Sequence, residues 1–166
     1  NTRILKNLVQ PAQLMCVVKA DGYNHGAIPV ARTVLDNGAD QLGVATLAEA
    51  LELREAGITA PILCWIWSPE QDFAAALDAN IHLAVVSMAH AQAIVKYAAG
   101  KPEKLVQTTI KIDTWLHRSG VDESQWEAVF TLLKDAGTAT GNIEVTGVMS
   151  HLACADEPRS EEHTSE

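Results

Sequence analysis

The chain has 166 residues, 48% of them apolar and 20% charged, with a formal net charge of −9. That composition is globular, and the length allows one domain with a substantial core. The acidic balance argues against a nucleic-acid surface, which needs clustered Lys and Arg, and no apolar run approaches the roughly 20 residues that span a bilayer. Cys16, Cys64 and Cys154 are odd in number and widely spaced, without metal-site spacing, so reduced thiols in a cytoplasmic protein are expected. No signal-peptide pattern opens the chain, and it starts at Asn1 already inside a helical pattern, as a fragment would.

Ile4, Leu5 and Leu8 have helical spacing, and Pro11 ends that segment. A strand is predicted over Met15 to Ala20, followed by a loop carrying Tyr23 and His25. Ala27 to Asn37 reads as a helix stopped by Gly38, and Gln41 to Thr46 as a second strand. Thr46 can cap a helix over Leu47 to Ala56, with Glu49 three residues on as in a capping box. Pro61 to Trp67 is a third strand. Ser68-Pro69-Glu70 has a helix-start signature, predicting a helix to about Ala79. Ile81 to Ser87 is a fourth strand and Met88 to Ala99 a helix stopped at Gly100. Leu105 to Asp113 is a fifth strand, followed by a loop over Thr114 to Asp122. A helix capped by Asp122 or Ser124 then runs to about Ala136, and Ile143 to Ser150 is a sixth strand.

Strands alternating with helices in this way mean parallel βαβ units, which a doubly wound sheet and a (β/α)8 barrel both satisfy. No G-x-G-x-x-G follows the first strand, which disfavours the dinucleotide-binding version. A closed barrel needs eight units over about 250 residues. Six are visible, so an α/β fold of this kind would be an incomplete TIM-type barrel over residues 1–158, with a doubly wound sheet still open. The polar stretch from Arg159 to Glu166 lacks apolar periodicity and reads as a disordered or non-native tail.

Three stretches carry chemistry-bearing residues just after strands. The first is Val17-Val18-Lys19-Ala20-Asp21-Gly22-Tyr23-Asn24-His25-Gly26, where Lys19 either points its amine into a cleft or sits on the surface at a strand end. The second runs from Lys111 through Asp113, Thr114 and Trp115 to Arg118 and Gly120. Alternation puts Lys111 and Asp113 on one side of the strand. A barrel-facing Lys111 would need its charge paired or removed, and Arg118 offers a fork of donors for an anionic oxygen. The third is Ser150-His151-Leu152-Ala153-Cys154-Ala155-Asp156, in which His151 either orients a site residue or caps the strand. Trp65 and Trp67 share a strand face and read as core packing.

Taken together, these stretches closely resemble alanine racemases, the fold-type III pyridoxal-phosphate enzymes. The family runs V-V-K-A-N/D-A/G-Y-G-H-G, K-x-D-T-G-M/L-x-R-x-G and S-H-F/L-A-x-A-D are matched by Val17 to Gly26, Lys111 to Gly120 and Ser150 to Asp156. Val44-Ala45-Thr46 and Glu49 to Arg54 also read like the family. The resemblance implies pyridoxal 5'-phosphate as cofactor and alanine as substrate. It also implies a homodimer in the full-length protein and a role in supplying D-alanine for the cell wall. It makes Lys19 the lysine that forms a Schiff base with the cofactor and moves the α-proton. Tyr23 becomes the phosphate contact, and Arg118 the contact to the cofactor's phenolic oxygen and the substrate carboxylate. Lys111 matches a lysine carbamylated in many members, and His151 a histidine in the cofactor's hydrogen-bond network. No metal is implied.

Two departures stand out. Asn24 replaces a glycine, a mild change because Asn tolerates left-handed backbone. Trp115 replaces the glycine after Asp-Thr, and strains the loop carrying Arg118 if that position needs positive φ. The family's second base, a tyrosine in a C-terminal β-domain, and the arginine facing the pyridine nitrogen fall outside residues 1–166. By resemblance, then, this chain is expected to be poorly active alone. Rival readings are a non-catalytic pyridoxal-phosphate-binding barrel, a broader-specificity amino-acid racemase, and an inert fragment.

Overall fold

The computed structural model describes residues 1–154. Helix α1 (Thr2–Val9) leads into β1 (Met15–Val17), α2 (Lys19–Asn24), α3 (Ala27–Asp36) and β2 (Gln41–Thr46). Then come α4 (Leu47–Glu55), β3 (Ile62–Ile66), α5 (Ala74–Asp78), β4 (His82–Val85) and α6 (Met88–Ala99). Strand β5 (Val106–Lys111), a 3-10 turn (Glu123–Gln125), α7 (Trp126–Thr140) and β6 (Ile143–Met149) complete the order. The polar 159–166 tail lies outside the described residues.

The six strands of the described residues are all parallel and pair strictly in chain order, β1-β2-β3-β4-β5-β6. A doubly wound sheet would reverse that order at a switch point. Each strand here adds to the same growing edge, the order of a (β/α)8-type barrel, of which the described residues give six strands.

The core lies between the sheet and the helices. Leu42, Val44, Ile62, Leu83, Val85 and Ile110 from the strands are fully buried against Leu53, Ile94 and Leu133 from the helices. On the other side of the sheet Trp65 lies over Gly43, where a Cβ would meet the indole at 2.9 Å. Trp67 is buried beyond the end of β3, where its Nε1 donates to the Ala84 carbonyl at 2.7 Å. The Arg54 guanidinium is spent on four backbone carbonyls, those of Ile58, Ala60, Ala79 and Asn80, at 2.7–3.0 Å. It thereby ties the end of α4 to the end of α5.

Several boundaries differ from expectation. The first strand stops at Val17, so Lys19 and Ala20 lie in the following turn and not in the strand. The Ser68-Pro69 signature does not start a helix. There the Gln71 side chain accepts from the Ser68 amide at 2.9 Å, closing a turn, and α5 starts only at Ala74. Helix α7 runs past Ala136 because Gly137 packs directly on the Ile143 carbonyl, which a Cβ would meet at 2.8 Å. By contrast, β2, α6 with its Gly100 stop and the Thr46–Glu49 capping box are as predicted.

Candidate active site

The predicted site residues all leave the C-terminal ends of strands, the face on which barrels of this type place their chemistry. Lys19 is half-buried after β1, and its Nζ lies 5.9 Å from the centroid of the Tyr23 ring, which is itself exposed. The backbone between them is unusual. Ala20, Asp21, Gly22, Tyr23 and Asn24 all have φ between 52° and 65°, so α2 is a single left-handed turn. Left-handed helical backbone costs an L-residue roughly 1–2 kcal/mol, and four of these five carry a side chain. Such a turn persists only where its surroundings over-determine it, and strain of this kind clusters at functional sites.

Those surroundings can be named. The Val18 amide donates to Gly43 O at 2.9 Å, which fixes the entry to the turn on β2. The Ala20 amide donates to Glu49 Oε1 at 2.8 Å, and Glu49 Oε2 accepts from Ala45 and Thr46 at 2.8 and 3.0 Å. The Asp21 side chain accepts from the Ala27 amide at 2.7 Å, capping α3. Gly22 is buried against Val30 and Ala27, leaving 3.2–3.3 Å for a Cβ.

The second predicted stretch also comes together. Lys111 is 3% exposed, and its Nζ donates to the Ser119 carbonyl and, at 3.3 Å, to Ser119 Oγ. Burial pushes its pKa below the ordinary lysine value and the nearby Arg118 charge adds to that, while Asp113 opposes it. Arg118 itself is exposed. Asp113 accepts from the His117 amide at 3.0 Å and meets the His117 ring at 3.2 Å, folding the loop back on its own strand. Trp115 has φ +84° and is 82% exposed, so the tryptophan does occupy a backbone conformation suited to glycine.

His151 lies two residues past the end of β6 and is exposed. Ser150 beside it is hydrogen-bonded to Thr114, joining the ends of β5 and β6. The structure thus brings Lys19 to Tyr23, Lys111 to Arg118, and the His151 segment to the Thr114 loop. Sequence reasoning missed two partners. Ser119 gave no signal, and Glu49 signalled only its local capping box. A groove of about 540 Å³, lined by Pro69, Phe73, Ala93 and Tyr97, lies in the outer helical layer. It reaches none of the strand-end residues. An amine that can attack a carbonyl, a phenol and a guanidinium for oxyanions suit an anionic ligand that carries a carbonyl.

The family known as "Alanine racemase, N-terminal domain" matches residues 1–166. The chain belongs to the alanine racemase family. It is 60% identical over 162 residues to the alanine racemase of Corynebacterium efficiens, a match covering 98% of this chain and 42% of that relative. The crystal structure of alanine racemase from Corynebacterium glutamicum superposes with a TM-score of 0.87 at 54% identity, over 97% of this chain and 45% of that one. The alanine racemase of the D-cycloserine producer Streptomyces lavendulae gives a TM-score of 0.92 at 37% identity, over 98% and 42% of the two chains. The chain therefore spans about two fifths of the length of the alanine racemases it matches.

Proposed function

We propose that this chain contributes the cofactor anchor and one of two bases to a pyridoxal-phosphate-dependent alanine racemase that works in the cytoplasm as a homodimer. The observation that carries the reading is Lys19, placed just past the end of a barrel strand on a strained left-handed turn, with its amine over the Tyr23 ring. The donor set fits the cofactor. Lys19 Nζ would hold its carbonyl carbon covalently, the Tyr23 hydroxyl its phosphate, and Arg118 its phenolic oxygen and the substrate carboxylate. Bound pyridoxal phosphate supplies an electron sink for the pair left at Cα when alanine loses its α-proton.

The chain's own residues do the rest. As a free amine, Lys19 Nζ would take the α-proton on its side of Cα, the step that starts from D-alanine, and give it back there in the reverse direction. Arg118 orients the carboxylate, so that the Cα–H bond stays within reach of the amine. His151 would join the hydrogen bonds around the cofactor. Lys111, with its lowered pKa, has more neutral amine to react with carbon dioxide. A carbamate there would turn a buried cation into an anion facing Arg118.

The test is conversion of L-alanine to D-alanine by the full-length protein, with and without Lys19→Ala, and with lysine, arginine and serine as competing substrates. Alanine turnover that is lost in Lys19→Ala is the expected result. Turnover that survives the substitution, or an absence of turnover with every amino acid, would overturn the reading.

A further inference from the structure

We propose that Glu49 is a positioning residue for Lys19, acting through the backbone amide of Ala20; this rests on the reading of Lys19 as cofactor anchor. A capping box accounts for one part of what Glu49 does. Its carboxylate accepts from the Thr46 amide while its own amide donates to Thr46 Oγ1 at 3.3 Å. That local task needs one carboxylate oxygen. The other oxygen reaches across to a different βα unit and takes the Ala20 amide at 2.8 Å.

Lys19 is therefore flanked by two fixed amides, Val18 held by Gly43 O on β2 and Ala20 held by Glu49 on α4. Ala20 is also the first residue of the left-handed run, at φ 52° and ψ 53°, a conformation alanine does not choose unaided. If the Ala20 amide is released, that residue can relax toward right-handed or extended backbone, and the direction in which Lys19 leaves the chain turns with it. A lysine stem is flexible, so the reach of its amine depends on where its backbone starts. Both oxygens of Glu49 act as acceptors. A glutamine of the same shape would set an N–H donor against at least one of those amides, so charge and geometry are both required.

The experiment compares Glu49→Gln with Thr46→Ala in the full-length protein. Thr46→Ala removes the hydroxyl that caps α4 but leaves the carboxylate bonds intact, so it serves as the structural control. Three quantities are read: hydrogen exchange at the Ala20 amide in cofactor-free protein, the rate of covalent pyridoxal-phosphate attachment to Lys19 trapped by borohydride, and kcat against KM. For Glu49→Gln the expectation is faster exchange at Ala20, attachment slowed about tenfold or more, and a loss carried mainly by kcat. Thr46→Ala should lower the melting temperature and leave Ala20 exchange and attachment as they were. If Glu49→Gln attaches the cofactor at the wild-type rate, or if both variants lose it in step with their stability, Glu49 is not a positioning residue. If the wild-type protein carries its adduct elsewhere than Lys19, the anchor reading itself fails and this inference falls with it.

Discussion

Gly120 lies so close to the backbone of Asp113 that a Cβ on it would stand 2.6 Å from the Asp113 nitrogen. The carbonyl carbon of Ile112 would be 2.6 Å away as well, and φ at Gly120 is +137°. Here the Lys111–Gly120 loop returns to its own strand, locked by Val121 N to Lys111 O at 2.7 Å and Asp113 N to Val121 O at 3.0 Å. The whole presentation of Arg118 depends on that return. Gly120→Ala should cost roughly 2–4 kcal/mol, combining backbone overlap with an unfavourable φ. Gly57→Ala, at φ +83° with nothing within 4 Å of the new methyl, isolates the second effect at about 1 kcal/mol. Urea denaturation of the two variants checks the difference, and equal losses would refute the contact argument.

Trp115 is the opposite case, a large side chain where the backbone favours none. Because its φ is +84° and the residue is 82% exposed, Trp115→Gly should stabilise the protein by about 1 kcal/mol, net of the added freedom of the unfolded chain. A thermal melt decides it. A lower melting temperature would mean that the indole makes contacts worth more than the strain.

Acid sensitivity should come in part from Asp40. Its carboxylate accepts from Lys6 Nζ and from the Leu14 amide, both at 2.6 Å, and the Lys6 bond chiefly holds its pKa below the ordinary value. A carboxyl with a lowered pKa in the folded state contributes stability that is present above its unfolded value and is lost as pH falls through the folded one. Asp40→Asn should therefore be less stable than wild type at pH 6, with the two urea midpoints converging at low pH. A gap that stayed constant with pH would contradict this.

For Lys111 the lowered pKa bears on reactivity. Burial and Arg118 depress its pKa, so the neutral amine that reacts with carbon dioxide becomes available at lower pH than for a free lysine, and the carbamate fraction should rise with pH. Carbon-13 bicarbonate labelling followed by NMR should show a carbamate signal that Lys111→Arg abolishes. A signal indifferent to that substitution would place the carbamate elsewhere.

Much of this fold could be read from local chemistry. Thr46 and Glu49 announce a helix start, Gly100 a helix end, and the apolar runs at Gln41–Thr46 and Ile62–Ile66 a buried parallel sheet. The turn after Lys19 was not legible. Nothing in Lys-Ala-Asp-Gly-Tyr-Asn asks Ala20 or Tyr23 to take positive φ. The conformation is imposed by Glu49, twenty-nine positions further on, and by the packing of Gly22 on Ala27 and Val30. The same is true of Lys111, whose burial could be anticipated from strand alternation but whose partner Ser119 depends on how the following loop folds back.

The address of the cofactor decides whether Lys19 is its anchor. The full-length protein is incubated with pyridoxal phosphate, reduced with borohydride, digested and mapped by mass spectrometry. A phosphopyridoxyl group is expected on Lys19, with the modification lost in Lys19→Ala. A stable adduct on Lys111 or another lysine, with Lys19 unmodified, would contradict it.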